Sequence, residues 1–254
     1  MSIIKLIVTD LDNTLLRRDK TVSDYTVDVL KRAHRKGILS AFATARDFRF
    51  VTEYITPLTG ITPDILISDN GALAYCNGID IYKKMIPGSI IRELIPEFKL
   101  VRCISTEKVY CLSGKYSNDH WSIGKKDTII TDSFADFADD AFYIDGNIDN
   151  SSVFLTENYR DIRTFLYSDI SLVTVVHRDA AKLNALLTVI SYLNIQKNET
   201  VVFGDDYSDI DVLSGFNNSI AVANAINECK RASAHLCGDC DEDGVAHWIE
   251  ENLL

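Results

Sequence analysis

The sequence predicts an α/β protein, a doubly wound parallel sheet interrupted by an inserted α+β unit. Three observations carry that expectation. Residues 3–8 form an apolar run rich in Ile and Val that ends at Asp10-Leu11-Asp12, the pattern of a strand buried on both faces. Strand and helix patterns then alternate through residue 68, which implies parallel strands joined by right-handed crossovers. From residue 84 to 178 the rhythm changes to short alternating segments mixed with helical ones, and from 179 the α/β alternation returns. The expected division is a core of residues 1–83 and 179–254, split by an insert at 84–178.

After the Asp pair, a helix is expected over residues 24–36. Ser23 can cap it, Val29, Leu30 and Ala33 give it an apolar stripe, and Gly37 stops it. A second strand over 38–43 runs into Thr44-Ala45-Arg46, followed by a helical pattern up to Pro57 and a third strand at 63–68. Asp69-Asn70-Gly71-Ala72 is a turn signal, and residues 75–82 around Asn77-Gly78 read as a hairpin. Within the insert, residues 101–105, 109–112, 151–155 and 171–176 read as strands on an antiparallel sheet, and 90–97, 134–138 and 159–166 as helices. Beyond it, residues 182–193 place Leu183, Leu186, Leu187 and Ile190 on one helical face. Residues 200–203 are a strand ending in Gly204-Asp205-Asp206-Tyr207-Ser208-Asp209. A short helix, a strand at 219–223, a helix after Asn224 and a last helix from Val245 complete the chain.

With 254 residues, 46% of them hydrophobic, the chain can bury one large core or two modest ones. Its net charge of −11 argues against nucleic acid as a partner, because phosphate contacts need a basic surface. It leaves room for a small phosphorylated molecule at a locally positive or metal-bearing site. No run of about 18 apolar residues occurs, so no membrane span is expected. The N-terminus shows no leader pattern, and six cysteines are too sparse for a disulfide framework, so a cytoplasmic protein with free thiols is expected.

The charged residues gather at predicted strand ends and helix starts. In open α/β sheets, ligands bind at the carboxyl ends of the strands, where Asp10 and Asp12 fall. In extended chain, residues i and i+2 point the same way, so both carboxylates can address one site, and their repulsion calls for a positive charge between them. Mg²⁺, which takes a few carboxylates plus substrate phosphate oxygens, suits that demand. Asp10 can serve as a nucleophile toward phosphorus, and Asp12 as general acid and base. Thr44, with the backbone N–H groups of Ala45 and Leu11, can hold phosphate oxygens, and Lys182 can neutralise the charge developing on the transferred group. Asp205 can complete the metal site with Asp10 and the Asp12 carbonyl, and Asp209 can orient the groups around it. Each element alone has a plainer explanation: Asp-x-Asp as a turn cap, Thr44 as an N-cap, Lys182 as a solvated helix residue, Asp205-Asp206 as a turn. Their joint occurrence at element boundaries favours the chemical reading.

These same stretches carry a resemblance. Asp10-Leu11-Asp12-Asn13-Thr14-Leu15, Ala43-Thr44-Ala45-Arg46, Asn70-Gly71-Ala72, Lys182, Gly204 to Asp209, Ala221-Val222-Ala223-Asn224-Ala225 and Asp241 to Ala246 resemble the haloacid dehalogenase superfamily, in particular its Cof-type, sugar-phosphatase-like branch (subfamily IIB). The resemblance spans nearly the whole chain, with the insert matching by position and length. It implies a Rossmann-like core with an α+β (C2-type) cap and a Mg²⁺-dependent phosphatase on small phosphorylated metabolites, such as sugar phosphates. It also implies Asp10 as nucleophile, Asp12 as acid/base, and Mg²⁺ on Asp10, Asp12 and Asp205, with phosphate at Leu11, Thr44, Ala45, Lys182 and Ser208. Asn13, Ala45 and Leu183 stand where the family commonly has Gly, and Ser208 where it commonly has Asn. A phosphomutase or phosphotransferase on the same core is the alternative enzyme, and a non-catalytic phosphate-ligand-binding protein the alternative of another class.

Other signals are weaker. Cys237-Gly238-Asp239-Cys240 with Cys229 nearby has no second pair to make a zinc site, and the five histidines show no ligand spacing. Lys83-Lys84 and Lys125-Lys126 read as solvated charges, and Tyr116 and Trp121 as candidate cap residues, with core packing the better reading of Trp121.

Overall fold

The computed structural model describes residues 3–104, 109–112, 128–131, 133, 137–148, 159–167 and 172–254. Its contacts divide the chain into two compact units, Met1–Tyr82 with Ala181–Leu254, and Lys83–Ala180. The first unit begins with β1 (Leu6–Thr9), all four of whose residues are buried. The helix Asp24–Arg35 follows, with Ser23 accepting a hydrogen bond from the Thr26 N–H and with Val29, Leu30 and Ala33 buried. After β2 (Leu39–Ala43), Asp47 caps a helical stretch made of Phe48–Phe50, a π-turn at Val51–Ile55 and Thr56–Thr59. Pro57 therefore does not end the helix. It sits in the first turn of the last segment, where its missing N–H is least costly, directly after the wide turn.

β3 (Ile65–Ser68) leads through a tight turn into the hairpin β4 (Leu73–Cys76) and β5 (Ile79–Lys83). Asn77 and Gly78 both adopt positive φ, as a two-residue hairpin turn requires. The turn before β4 is unusual: Asp69, Asn70 and Gly71 are consecutive left-handed residues, at φ of 55°, 57° and 82°. It brings Gly71 so close to the start of the next core helix that a Cβ there would lie 2.3 Å from the Ala181 carbonyl carbon.

The second unit holds a six-stranded sheet. Its strands are β6 (Phe98–Ile104), β7 (Val109–Leu112), β8 (Thr128–Thr131), β9 (Tyr143–Ile148), β10 (Ile162–Tyr167) and β11 (Leu172–His177). The order is β10-β11-β9-β6-β7-β8, antiparallel except for the β7–β8 pair. The helix Gly88–Leu94, continued by a 3₁₀ turn at Ile95–Glu97, contributes Ile91, Leu94 and Ile95 to a core shared with Ile144, Ile162, Val173 and Val175. One expectation fails here: residues 162–166 are not helical but lie in β10. Tyr159, Ile162, Phe165 and Leu166 fit a helical stripe, yet Ile162 to Tyr167 pair in register with His177 to Leu172, and that cross-strand pairing decides. Residues 137 and 138 carry no helix either. The strand expected at 151–155, and Tyr116, Trp121, Lys125 and Lys126, lie outside the described residues.

The chain re-enters the first unit with the helix Lys182–Tyr192, then β12 (Thr200–Gly204), β13 (Ser219–Ala221) and β14 (His235–Leu236). The helices Ile210–Gly215, Asn227–Ala232 and Gly244–Leu253 lie between and after them. The eight-stranded sheet runs β14-β13-β12-β1-β2-β3-β4-β5, parallel from β14 to β3 with the hairpin at one edge. β1 lies between β2 and β12, so the strand order reverses there, and that is where a doubly wound sheet opens a crevice for ligands. Among the described residues, no helix is long and apolar enough to cross a membrane.

Ile7 in β1 is 1% exposed and Ile3 is 82% exposed. Ile7→Ala is expected to lower the unfolding free energy of the first unit by about 2–5 kcal/mol, and Ile3→Ala to change it by less than about 0.5 kcal/mol, as urea titration will measure.

Candidate active site

The site begins where β1 ends. Asp10 follows Thr9, is 7% exposed, and its N–H donates to the Phe203 carbonyl of β12 at 3.1 Å. Lys182, the first residue of its helix, is 1% exposed. A lysine at a helix N-terminus opposes the helix dipole, so it needs anionic partners. It has two: Nζ donates to Asp10 Oδ1 at 2.7 Å and to Asp209 Oδ1 at 2.6 Å. Asp209 lies on the 3₁₀ turn Tyr207–Asp209 after β12, and its Oδ2 accepts the N–H groups of Asp205 and Asp206 at 3.1 and 3.2 Å. Both its oxygens are thus engaged. This turn requires the glycine that precedes it, since a Cβ on Gly204 would lie 2.6 Å from the Asp209 Cβ. Asp205, at the end of β12, accepts a hydrogen bond from Thr14 Oγ1 at 2.8 Å.

Asp10, Asp205 and Asp209 offer oxygens that all lie within 4.8 Å of one another. Three carboxylates against the single Lys182 leave a formal excess of two negative charges (three minus one) in a buried site. Titration behaviour reflects that imbalance. Burial, reinforced by Asp209, Asp205 and Asp12, pushes the Asp10 carboxyl well above its usual range despite Lys182. Burial and Asp209 push Asp205 up to about 7, against the Thr14 hydrogen bond and Lys182. Burial works to discharge Lys182, but Asp10 and Asp209 outweigh it and hold the ammonium charged to higher pH than usual. An all-oxygen donor set with two uncompensated charges fits a hard divalent cation such as Mg²⁺.

The other expected residues are placed differently. The carboxylate of Asp12 is not part of the acidic group. β1 stops at Thr9 and Leu11 lies in a turn, so residues 10–12 are not one stretch of extended strand. Asp12 instead accepts from Arg46 Nε and Nη2 at 2.8 and 2.9 Å and pairs with Lys20 Nζ at 2.9 Å. Burial alone would raise its carboxyl, but Arg46 and Lys20 overcome burial and hold it below the usual range. Thr44 is buried after β2, and its Oγ1 accepts the Arg46 N–H at 3.1 Å, while Asp47 takes the helix cap. Leu11 is fully buried, and Ala45 and Ser208 are half-buried, on the turns after β1, β2 and β12 respectively.

Four contributors were not assigned roles from the sequence. Arg46 and Thr14 stand inside quoted motifs, and that proximity was the available signal. Lys20 has no motif. Asn224 bridges two turns, donating to the Asn13 carbonyl at 2.7 Å and accepting the Cys240 N–H at 2.9 Å. Cys229, Cys237 and Cys240 are free thiols, and Cys229 Sγ donates to the Asp206 carbonyl at 3.1 Å.

Asp205 supplies a test through pH. Its native carboxyl titrates near 7 against an ordinary value of 3.8, so between those limits the native state holds a proton that the unfolded chain has released. The resulting stabilisation is full below the ordinary value and is lost as pH rises toward 7. In chelator, the thermal midpoint of the wild type is expected to fall more steeply between about pH 4 and about pH 7 than that of Asp205→Asn, and added Mg²⁺ to raise it most at the upper end. Scanning calorimetry will show whether the two slopes differ.

Known proteins resemble this chain over nearly its whole length. A Haemophilus influenzae protein provisionally named a phosphatase is 27% identical over 261 residues, covering 98% of each chain. The 5-amino-6-(5-phospho-D-ribitylamino)uracil phosphatase of Bacillus subtilis is 24% identical, over 97% of this chain and 96% of that one. A solved sugar phosphatase of haloacid dehalogenase subclass IIB shares the fold with a TM-score of 0.79 at 19% identity, over 97% of this chain and 98% of that one. The profile of the haloacid dehalogenase-like hydrolases matches residues 7–249, a span that takes in both units, and the chain belongs to that family.

Proposed function

We propose that this hydrolase is a Mg²⁺-dependent phosphatase of small phosphorylated metabolites, of the sugar-phosphate class, working through an aspartyl-phosphate on Asp10. The observation that carries the reading is the buried Asp10 carboxylate, fixed by Lys182 at the switch point of the sheet beside two further carboxylates. The named activities of the Bacillus relative and of the subclass IIB structure support the substrate class.

Asp10, Asp205, the Asp12 carbonyl and, through its carboxylate, Asp209 would hold Mg²⁺, which when bound offsets the charge of the carboxylates and of the phosphate. Asp10 attacks phosphorus, forming an O–P bond as the bond to the leaving oxygen breaks, and Asp12, a carboxylate in the free protein, takes a proton from the substrate's monoanionic phosphate group and passes it to that oxygen. Asp12 then takes a proton from water as the water attacks the phosphoryl group and frees Asp10. Lys182 neutralises charge on the transferred group, while Asp209 holds Lys182 and the Asp205-Asp206 backbone in place. The N–H groups of Leu11 and Ala45 and the hydroxyls of Thr44 and Ser208 supply donors to the phosphate oxygens. The second unit, Lys83–Ala180, is the inserted α+β cap.

Phosphate release from sugar phosphates and p-nitrophenyl phosphate is expected only with Mg²⁺ present. Asp10→Asn should reduce it to background, and Asp12→Asn should lower turnover of sugar phosphates by about 10²–10⁴-fold. Unchanged turnover in Asp10→Asn would overturn the mechanism.

A further inference from the structure

Asp10 and Asp12 are separated by one residue, yet different groups hold them. Lys182 binds Asp10, whereas Asp12 is held by Arg46 and Lys20. The two grips are unequal. Arg46 uses two nitrogens on the two carboxylate oxygens, so it fixes the plane of the carboxylate as well as its distance. Its side chain is 19% exposed, and its guanidinium carbon lies 4.4 Å from the centre of the Phe50 ring, which restrains the guanidinium. Its backbone N–H is tied to Thr44 Oγ1 at the end of β2. Lys20 is 43% exposed and makes one contact, to Oδ1. It projects from a turn whose base is fastened by the ion pairs Arg17–Asp243 and Arg18–Asp239, both 2.9 Å.

We propose that Arg46 is a positioning residue that sets the plane of the Asp12 carboxylate for proton transfer to the leaving oxygen, with Lys20 as a weaker second arm. The proposal rests on Asp12 being the acid/base of the phosphatase reading. Proton transfer needs the carboxylate within about 2.6–3.2 Å of the accepting atom, and a misplacement of about 1 Å costs on the order of 10²-fold. A residue acting in this way matters most when the leaving group needs a proton.

The experiment compares kcat/KM for glycerol phosphate, whose alkoxide must be protonated to leave, with that for p-nitrophenyl phosphate, whose phenolate departs without a proton. This ratio reports only the steps up to formation of the phosphoenzyme. Arg46→Gln is expected to lose about 10²-fold on glycerol phosphate and less than about 10-fold on p-nitrophenyl phosphate. Asp12→Asn should show the same selectivity, more strongly. Arg46→Lys keeps the charge without the fork and should fall between wild type and Arg46→Gln. Lys20→Gln should lose less than Arg46→Gln on glycerol phosphate. A partly folded sample lowers both substrates alike and leaves their ratio unchanged, and if Arg46→Gln does not fold, the ratio for Arg46→Lys decides. Equal losses on both substrates, no loss on either, or a larger loss for Lys20→Gln would overturn the proposal. A wild type that releases no phosphate from either substrate, or an active Asp10→Asn, would overturn the phosphatase reading itself.

Discussion

The contact on which this molecule turns is the buried ammonium of Lys182 between Asp10 and Asp209. Taking charges out of water is costly, and here three carboxylates share one lysine inside the core. Nothing in that arrangement favours folding by itself. The sheet and its helices bury enough apolar surface to impose it, with Leu6, Ile7, Val8, Val201, Val202 and Phe203 of the two central strands all almost fully covered. The site is thus an electrostatic strain held by a hydrophobic frame, as expected where a charge-stabilising partner arrives with a ligand.

The backbone makes the strain geometrically possible. Asp209 touches Lys182 with one oxygen and the Asp205-Asp206 peptides with the other, so it joins the end of β12 to the start of the Lys182–Tyr192 helix. Gly204 gives it room, and Gly71 allows the turn before β4 to press against that same helix start. Lys182 is therefore fixed from the side chain by two carboxylates and from the backbone by a turn that only a residue without Cβ can complete.

The residues of β1, β2 and β12, the helix opening at Lys182 and the Asn77-Gly78 hairpin were legible because each has a local signature: a continuous apolar run, a 3.6-residue stripe, a turn dipeptide. Asn13, which stands where the resembled family commonly has Gly, is left-handed at φ 59°. Residues 159–166 misled because their apolar spacing suits helix and strand alike, and the partner that settles it, Leu172 to His177, is contributed by another segment. The pairing of Arg46 with Asp12 spans 34 positions and that of Thr14 with Asp205 spans 191, and no window of sequence encodes either. Chemistry-bearing residues could be named from the sequence, but which of them touch depends on closing the sheet.

That distinction matters most for the Asp pair. As read along the chain, Asp10 and Asp12 are neighbouring carboxylates given different roles, with nothing local to tell their surroundings apart. In the fold they face opposite environments: Asp10 is buried among carboxylates that raise its titration, and Asp12 is held by two cations that lower it. When two like groups are driven apart in this way, they can take different parts in one reaction. Asp10 lies against the Lys182 ammonium, and Asp12 lies in the two-nitrogen fork of Arg46. The split begins where β1 ends at Thr9: beyond it Lys182 reaches the first carboxylate, and Arg46 with Lys20 the second.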